Sequence, residues 1–394
     1  MVDTDIFISG GGLAGLSAAA AAHAAGVRVI LADPVPPVAA AEADGSDLRS
    51  TAYLQPAKAL FEHIGLWSLL APHATPLTCL RVIDTEGDPP EIRTDRTFQA
   101  SDLSDDPFGW NVPNWLARKV LVEHLGDLID LRLGVGFSHV LTRDKEALVT
   151  LSDGTRIRAK MAIAADGRAS PLRAAAGIDV KTTRYAQKAL AFAVAHDIPH
   201  DTVSTEIYAS GGAFTLVPLA DHEGRPASAV VWMEEGPKAL ALSKLSAEAL
   251  GHAATERSAG VLGSLTPITP IRVWPIVTQE ALRLTARRVA VMAEAAHVLP
   301  PIGAQGLNTS LQDVAALADC LATFPGDIGG PAMLGAYAKA RQGDVHTRAR
   351  AIDAFNRICK SDAAGLRHLR SAGLSAVHDI MPLRMAIMRK GLGA

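Results

Sequence analysis

Two short hydrophobic runs, separated by a stretch of glycine and alanine, open the chain. Residues 6–8 (IFI) are typical of a buried strand, and residues 10–15 (GGGLAG) favour a turn. The alanine-rich residues 16–25 predict a helix that Gly26 ends, and a second apolar run at 27–32 predicts another strand. The pattern therefore predicts a strand, a turn, a helix and a second strand in that order.

Residues 6–27 contain no charged side chain, which raises the question of a membrane span. A helix crosses a bilayer with about 20 apolar residues. Five glycines and His23 interrupt this stretch, however, and Asp3 and Asp5 precede it where a signal peptide has lysine or arginine. We therefore expect a buried part of a soluble domain here.

The glycines have the spacing Gly-x-Gly-x-x-Gly, and Asp33 follows about 20 positions later, as in a dinucleotide-binding fold. Gly10 permits the tight turn, Gly12 lets a pyrophosphate approach the backbone, and Gly15 lets the helix pack closely on the strand. The helix amino terminus then holds the phosphates, while Asp33 accepts hydrogen bonds from the adenosine ribose and repels a 2′-phosphate. The alternative is a glycine-rich loop that serves packing alone.

Two later segments each run from a strand into a polar or glycine-rich loop. Residues 161–173 (MAIAADGRASPLR) pass from an apolar strand to Asp166 and Gly167. Residues 288–317 pass from a strand through Glu294 and a PPIGAQGLN loop into a helix that is predicted to begin near Asn308. The helix amino terminus and the flexible glycines of this loop suit contact with a flat ring that carries negative charge.

Taken together, these segments resemble the class A flavin-dependent aromatic hydroxylases, and within them the hydroxylases of ubiquinone biosynthesis. The resemblance covers nearly the whole chain and rests on the spaced order of several further motifs. These are DLRSTAY, NWLARKVL, YAQKAL, GAFTLVPL, Trp274-Pro275 and, at the carboxyl end, LRSAGL and PLRMAIMRKGLG.

The resemblance implies an α/β fold. A Rossmann-like FAD-binding domain of the glutathione reductase type carries an inserted mixed-sheet substrate domain and carboxyl-terminal helices. We expect the FAD-binding domain at 1–74, 112–180 and 280–330, and the substrate domain at 75–111 and 181–279. The helical segment is expected at 331–394. The substrate sheet is expected to cover the flavin and to supply the pocket.

The resemblance also implies which residues contact the cofactor. The flavin-facing loop contains Pro300, Pro301 and Gly303. The expected FAD-binding residues are Gly10, Gly12, Leu13, Ala14, Gly15, Asp33, Arg49, Arg118, Asp166, Gly167, Glu294, Gly303, Gly306, Leu307 and Asn308. One departure is notable, because Ala293-Glu294 stands where the family usually has Gly-Asp. Glutamate keeps the carboxylate for the ribityl chain but adds a methylene, and alanine adds a methyl group at a close backbone approach.

Several of these residues have a second interpretation. His297 near the flavin is either functional or a buried histidine whose hydrogen bonds are satisfied by backbone groups. Arg49 and Arg118, taken alone, could equally form surface ion pairs. Phe214, Pro218 and Trp232 either line the pocket or belong to the hydrophobic core.

The implied activity is hydroxylation of the aromatic ring of a polyprenylated phenol in ubiquinone biosynthesis, with O2 as co-substrate. In the family, reduced flavin and O2 give a C4a-hydroperoxide that the phenol attacks. The sequence has one Gly-x-Gly-x-x-Gly, so the reductant is either transiently bound NAD(P)H or a protein electron donor. Two alternatives remain open: the same chemistry on a small soluble phenol or aromatic acid, and an accessory subunit of a quinone-biosynthesis complex that binds flavin weakly.

Composition excludes other classes. The 394 residues carry 38 Lys+Arg against 41 Asp+Glu, and the pI of about 6.5 argues against binding to nucleic acid. The three cysteines are widely spaced and form no CxxC pair, so neither a disulfide framework nor a metal site is expected. The sequence predicts a cytoplasmic protein.

The carboxyl-terminal residues 366–390 are basic and apolar. Only Asp379 opposes five cations amid leucine, isoleucine and methionine, and these cations are Arg367, Arg370, Arg384, Arg389 and Lys390. Such a segment could rest on anionic lipid of the inner membrane or on a partner protein. The alternative is a helix packed on the cofactor domain with a solvated basic face.

Overall fold

The computed structural model describes residues 1–38, 40–41, 43, 46–47, 49–209, 211–360 and 364–392, without the side chains of 364 and 366–369. The helices are α1 (Leu13–Ala24), α2 (Gln55–His63), α3 (Trp67–Leu70), α4 (Asn114–Leu125), α5 (Pro171–Ala175), α6 (Gly236–Leu242), α7 (Ala247–Arg257), α8 (Gln305–Thr323), α9 (Pro331–Lys360), α10 (Ala364–Asp379) and α11 (Met381–Leu392). The strands are β1 (Val2–Ser9), β2 (Val29–Asp33), β3 (Ser50–Leu54), β4 (Thr75–Leu77), β5 (Cys79–Glu86), β6 (Glu91–Gln99), β7 (Gly109–Pro113), β8 (Asp130–Leu133), β9 (Phe137–Thr142), β10 (Ala147–Leu151), β11 (Arg156–Ala164), β12 (Val180–His196), β13 (Val203–Ala209), β14 (Gly212–His222), β15 (Arg225–Glu235), β16 (Leu265–Pro267), β17 (Arg272–Ala281), β18 (Thr285–Ala286), β19 (Val289–Val291) and β20 (His297–Val298).

The first sheet, sheet 1, contains the predicted strand, turn, helix and strand at the amino terminus. Its strand order is β18-β19-β11-β1-β2-β8, with β10 and β9 added beside β11. The strands β19, β11, β1, β2 and β8 are parallel. Parallel strands are covered by helices on both faces and therefore read as continuous apolar runs, which explains the missing charges at 6–27.

Helix α1 lies against this sheet almost without exposed side chains, and its alanines are buried. It begins at Leu13, so the turn is shorter than predicted, and Gly26 with φ of +73° follows its end as expected. Among the described residues, no helix is both long and apolar enough to cross a bilayer.

The second sheet, sheet 2, has the order β20-β17-β12-β15-β14-β13-β5-β6. It combines strands from both regions expected to supply the substrate domain, since β5 pairs in parallel with β13. A third, smaller sheet has the strand order β3-β7-β4. The α/β fold is thereby confirmed, whereas the division into domains with the boundaries given above stays a prediction.

The two faces of sheet 2 have different partners. On one face, residues such as Phe214, Trp232 and Ile207 form a hydrophobic core with α6 and α7. On the other face, Tyr208 and Met233 pack with Ile302 of the glycine-rich loop and Cys359 of α9. This second face, called here the loop face, is the one that turns toward the predicted flavin site.

The carboxyl-terminal helices pack on sheet 2 rather than lying free. Arg370 of α10 donates to the buried Asp84 of β5, and His378 Nε2 lies 3.2 Å from the Thr97 carbonyl of β6. The alternative in which these helices pack on the cofactor domain was therefore wrong for α10. This helix packs on sheet 2, where Asp84 provides the carboxylate that pairs with Arg370. Of the five cations, Arg370 is buried, Arg384 lies 3.5 Å from Asp102, and the Arg367 side chain is outside the described residues.

Candidate active site

The glycine loop between β1 and α1 has the close contacts that its spacing predicts. A Cβ on Gly15 would lie 2.0 Å from the Gly10 carbonyl oxygen, and a Cβ on Gly10 would lie 2.3 Å from the carbonyl oxygen of Ala165. A Cβ on Gly12, in contrast, would meet nothing within 4 Å. Gly10 and Gly15 have no room for a side chain, because a Cβ there would collide with protein backbone. Gly12 borders open space where a ligand could approach the backbone.

Asp33 lies at the carboxyl end of β2, next to this loop. Its Oδ2 accepts a hydrogen bond from the Gly11 N–H at 2.6 Å, and its Oδ1 accepts from the Val35 N–H at 2.8 Å. Arg118 of α4 donates to the carbonyls of Gly11 and Val35 at 2.8 and 2.6 Å, and its Nη2 lies 3.6 Å from Asp33 Oδ1. Arg118 is therefore no isolated surface ion pair, because it braces the glycine loop and the loop after β2.

The segment with Asp166 and Gly167 meets the glycine loop, as the resemblance implied. Ser9 Oγ donates to Asp166 Oδ2 at 3.0 Å, and the Leu172 N–H donates to the same oxygen at 3.3 Å. The buried Oδ1 has no hydrogen-bond partner among the described residues. Burial raises the pKa of Asp166 more than the hydrogen bonds from Ser170, Leu172 and Ser9 lower it.

Arg173 connects this segment to the residues after β19. Its guanidinium is buried and donates to the Ala295 carbonyl at 2.8 Å and to the Arg168 carbonyl at 3.1 Å. Two of the sequence segments that were far apart in the chain are thus held together by one side chain. Arg173 is the last residue of the segment 161–173 that the sequence analysis singled out, but no role was predicted for its side chain.

The departure at Ala293-Glu294 falls in a single 3₁₀ turn after β19. Ala293 is buried and has φ of +55°, a left-handed conformation that favours glycine. Glu294 is exposed and lies near Arg49. Burial lowers the pKa of Arg49, but the Asp47 carboxylate, with a smaller contribution from Glu294, raises it.

The guanidinium of Arg49 contacts both Asp47 and Trp274. Its Nε and Nη2 donate to the two oxygens of Asp47, each at 2.7 Å, and its guanidinium lies 5.0 Å from the centre of the Trp274 ring. Asp47 also accepts from Asn114 Nδ2 at 3.1 Å. Arg49 therefore forms an ion pair, as one interpretation expected, at a position beside Glu294 where a cofactor contact remains a prediction.

A buried network of charged residues stabilises the turn that contains Ala293 and Glu294. Asp313 of α8 accepts from the Ala293 N–H at 2.8 Å and from Arg341 Nε at 2.7 Å, and His297 Nε2 lies 2.7 Å from it. Burial raises the pKa of Asp313, but the nearby His297 and Arg341 outweigh it and lower the pKa overall. His297 is therefore a buried, satisfied histidine, although its partner is a carboxylate and not the expected backbone.

Sequence reasoning missed Asp313. The available signal was an acid between Leu311 and Val314, on the face of an amphipathic helix that packs into the core. A buried carboxylate on such a face requires cationic or hydrogen-bonding partners. The partners themselves, on α9 and on the turn, could not be found from spacing in the sequence.

The glycine-rich loop before α8 presents the amino terminus of that helix. Gly303 and Ala304 have φ of +60° and +55°, and α8 begins at Gln305 without a side-chain cap. Gly303 and Gly306 are exposed, and a Cβ on Gly306 would meet nothing within 4 Å. The uncapped N–H groups here could stabilise negative charge on a ring placed against the loop.

Asn308 is buried and its amide is fully engaged. Its Oδ1 accepts from the Leu54 N–H at 2.9 Å, and its Nδ2 donates to the carbonyls of Ala52 and Ala304, each at 2.7 Å. The side chain thus ties β3 to the start of α8. A direct contact of Asn308 with the cofactor stays a prediction, as it does for Leu307.

The pocket candidates from the sequence lie on the wrong face of sheet 2. Phe214 and Trp232 pack edge to face with ring centres 5.3 Å apart, in the core under α6 and α7. The core interpretation therefore holds for these two, and the alternation of strand residues places Pro218 on the same face. The half-buried side chains on the loop face are instead Val82, Thr215, Val217 and Val231, which sequence reasoning missed.

These features fit FAD. The open space at Gly12, the uncapped amino termini of α1 and α8, and the unpaired Asp166 Oδ1 are groups that a bound dinucleotide with a flat ring could satisfy. Glu294 and Asp33 are the carboxylates that the resemblance and the glycine motif predict for the ribityl and ribose hydroxyls. No single described feature conflicts with that cofactor.

A family model described as "FAD binding domain" matches residues 3–351. The chain belongs to this FAD-binding domain family. The ubiquinone hydroxylase UbiL of Rhodospirillum rubrum is 32% identical, over 99% of this chain and 89% of that protein. The 3-demethoxyubiquinol 3-hydroxylase of Escherichia coli is 26% identical, over 99% of this chain and 98% of that protein.

Among solved structures, p-nitrophenol 4-monooxygenase PnpA of Pseudomonas putida has the same fold. Its TM-score is 0.81 at 19% identity, and the alignment covers 100% of this chain and 99% of that one. PqsL of Pseudomonas aeruginosa aligns with a TM-score of 0.79 at 21% identity, over 94% and 99% of the two chains. With its family and its full-length relatives, this protein is an FAD-dependent monooxygenase.

Proposed function

We propose that this monooxygenase hydroxylates the aromatic ring of a polyprenylated phenol in ubiquinone biosynthesis. The observation that carries the proposal is the full-length similarity to UbiL, which is named a ubiquinone hydroxylase. The loop face of sheet 2 supports it, because Val82, Val217 and Val231 offer an apolar lining to a lipophilic ring. Thr215 adds one hydroxyl for orientation.

Bound FAD supplies the oxygen-activating chemistry once it is reduced, and the protein positions the reactants and excludes water. Gly12 and the start of α1 would hold the pyrophosphate, and Asp33 the adenosine ribose. Glu294 would hold the ribityl chain. Residues 300–306 would lie against the ring, with the positive end of α8 favouring its reduced, anionic form. NAD(P)H or a protein donor would supply the electrons.

Two measurements test this function in order. The purified protein should be yellow or take up FAD with a shift of the flavin absorption, and a colourless protein that binds no FAD contradicts the enzyme itself. A strain that lacks the gene should then accumulate a prenylated phenol that lacks one hydroxyl group. A normal quinone profile would leave the monooxygenase but refute the ubiquinone assignment, and activity on a soluble phenol would point to the smaller substrate.

We further propose that the turn between α10 and α11 contacts an anionic membrane surface. Ile380, Met381 and Ile387 are 52%, 62% and 44% exposed, so three large apolar side chains reach the surface between residues 380 and 387. Arg389 and Lys390 are exposed beside them, and residues 380–392 contain no acid. Apolar insertion combined with cationic attraction is the pattern of peripheral membrane helices.

Flotation with phosphatidylglycerol liposomes tests this contact. A Met381→Ser/Ile387→Ser variant should float several-fold less than the unmodified protein, because it loses the apolar anchors while the cations remain. Leu282→Ser is a matched control, since Leu282 is 60% exposed at a distant site. Equal flotation of the double variant and the control would refute the contact.

A further inference from the structure

One acidic side chain lies within the apolar wall that the loop face of sheet 2 offers to a substrate. Glu206 of β13 pairs in register with Val82 of β5 and with Thr215 of β14. Thr215 pairs in turn with Val231 of β15. Residues paired across strands point to the same face of a sheet, so these four side chains form one row. The row contains a carboxyl group and a hydroxyl between two valines.

The same row meets the flavin-facing loop. Val82 and Val231 pack against the buried cluster that contains Ile302 of this loop. A flavin ring placed against residues 300–306 would therefore lie beside the row. A phenol held between the ring and the row would have the Glu206 carboxyl group within reach of its hydroxyl.

The hydrogen bonding of Glu206 leaves one oxygen for a ligand. The hydroxyl of Tyr208, two residues later on the same face, donates to Glu206 Oε2 at 2.6 Å. Among the described residues, no hydrogen bond of normal geometry reaches Oε1. Glu206 is 8% exposed and Tyr208 is 3% exposed. Because a carboxyl group removed from water is costly without hydrogen bonds, a substrate hydroxyl at Oε1 would be favoured.

A phenol gives such a carboxyl group a chemical task. A phenol hydroxyl with a pKa of about 10 keeps its proton at neutral pH, although the ionised phenolate is the more electron-rich form. A general base is most effective when its pKa lies near the operating pH. Burial raises the pKa of Glu206 more than the hydrogen bond from Tyr208 lowers it. Glu206 is therefore a stronger base than an exposed glutamate.

We propose that Glu206 is the catalytic base that takes the proton from the phenol hydroxyl, and that Tyr208 positions it. This rests on the proposed function, since it requires a phenol on the loop face. The phenol O–H bond breaks and an O–H bond forms at Oε1, while the electron pair stays on the phenolate oxygen. After oxygen transfer the ring hydrogen leaves as a proton, and its electron pair restores the aromatic phenolate. Glu206 then returns its proton to that oxygen and is unchanged by the turnover.

The test compares phenols of different acidity. FAD-loaded wild type, Glu206→Gln, Tyr208→Phe and the control Glu234→Gln each react with a short-chain prenylated phenol and with its ring-fluorinated analogue, whose hydroxyl is more acidic. Product formation is measured from weakly acidic to alkaline pH. Glu234 is a buried carboxylate of β15 on the opposite face, and its described partners are Lys238 and the Glu235 N–H. Wild-type protein that binds no FAD or forms no product contradicts the proposed function, before any variant is compared.

Glu206→Gln should hydroxylate the unsubstituted phenol about 100-fold more slowly than wild type, because a general base typically contributes at least that factor. The loss should shrink with the fluorinated phenol and with rising pH, since the solvent then supplies phenolate. Wild-type rates in Glu206→Gln overturn the proposal. A loss of equal size for both phenols at every pH also overturns it, because that is the result of a purely structural role.

Tyr208→Phe removes a hydrogen bond that stabilises the ionised carboxylate, so the pKa of Glu206 should rise. A base acts only without its proton, and the acid limb of the rate profile should therefore move to higher pH. If Glu206→Gln does not fold, this shift decides, and an unchanged profile refutes the proposal. Glu234→Gln should match wild type, and a loss there that also shrinks with phenol acidity refutes the assignment to Glu206. The other titratable groups around the pair are Asp84 on β5, Arg96 on β6, Cys359 on α9 and Arg370 on α10.

Discussion

The carboxylate of Asp313 accepts a hydrogen bond from the backbone N–H of Ala293 at 2.8 Å. Ala293 is left-handed, with φ of +55°, so this bond stabilises a conformation that alanine alone disfavours. The next residue is Glu294, the carboxylate expected at the ribityl chain. A buried side chain on α8 thereby stabilises the turn from which Glu294 projects.

Asp313→Asn should destabilise the protein and weaken FAD binding together. The amide keeps one acceptor but loses the charge that faces Arg341 and His297, and breaking a buried ion pair costs about 3–5 kcal/mol in the extreme case. We expect a loss of about 1–3 kcal/mol for this isosteric change. Urea unfolding and FAD titration measure the two effects, and unchanged FAD affinity would contradict the link between Asp313 and Glu294.

The same carboxylate predicts how stability depends on pH. Its pKa is lowered in the folded protein, since His297 and Arg341 outweigh the effect of burial. Its contribution is therefore complete above the ordinary carboxyl pKa of about 3.9 and is lost as pH falls through the lowered value. The groups that face or approach it are His297, Arg341, Tyr337 and, through Arg341, Asp344.

The difference in unfolding free energy between wild type and Asp313→Asn should thus be fully present near pH 5, about one unit above that value, and shrink in stronger acid. Denaturant unfolding at a series of pH values measures it. A difference that instead grows toward acid would mean that the carboxylate is not stabilised in the folded state.

Ala293→Gly should stabilise the protein, which is unusual for a change to glycine. Relief of the left-handed conformation returns about 1–2 kcal/mol, while the added freedom of the unfolded chain costs about 0.4–1 kcal/mol. Ala295→Gly is the control, because Ala295 is buried in the same turn but has no positive φ. Thermal unfolding should shift in opposite directions for the two variants, and a loss of stability in both would refute strain at Ala293.

Gly12→Ala should fold normally and bind FAD at least tenfold more weakly. The new methyl group meets no protein atom within 4 Å, so folding is unaffected, but it occupies the space where the pyrophosphate would approach. Gly343→Ala in α9 is the matched control, since its Cβ also meets nothing within 4 Å and lies in a helix. Isothermal titration with FAD distinguishes them, and equal affinities would place the phosphates elsewhere.

The resemblance and the local patterns predicted much of the cofactor side. The strand at residues 6–8, the glycine turn and the alanine-rich helix are local features, because each depends on neighbours within a few positions. The approach of the segment at Ala165 to Gly10 was implied only by the resemblance, and the contact of Arg173 with Ala295 was not predicted at all. Spacing in one chain contains no information about which distant segments touch.

The substrate side was less predictable. Phe214 and Thr215 are adjacent in sequence and point to opposite faces of β14, so the choice between core and pocket depends on which face α6 and α7 cover. Both faces of this strand carry apolar residues, and alternation alone could not tell them apart. In β14 the aromatic Phe214 faces the helices, and the smaller Thr215 and Val217 lie on the loop face.

By itself, the sequence determined the glycine loop, the acid at the end of β2 and the order of strand, turn, helix and strand at the amino terminus, since turn geometry and hydrophobic periodicity act over short distances. Only the tertiary structure decided the roles of Asp313 and Arg118. Each of these side chains acts on a backbone segment that is distant in the chain: Asp313 on the turn at Ala293, and Arg118 on the glycine loop. A charged side chain is stabilised in the interior only by the partners that folding brings to it, so its function is set by the fold and not by its neighbours in sequence.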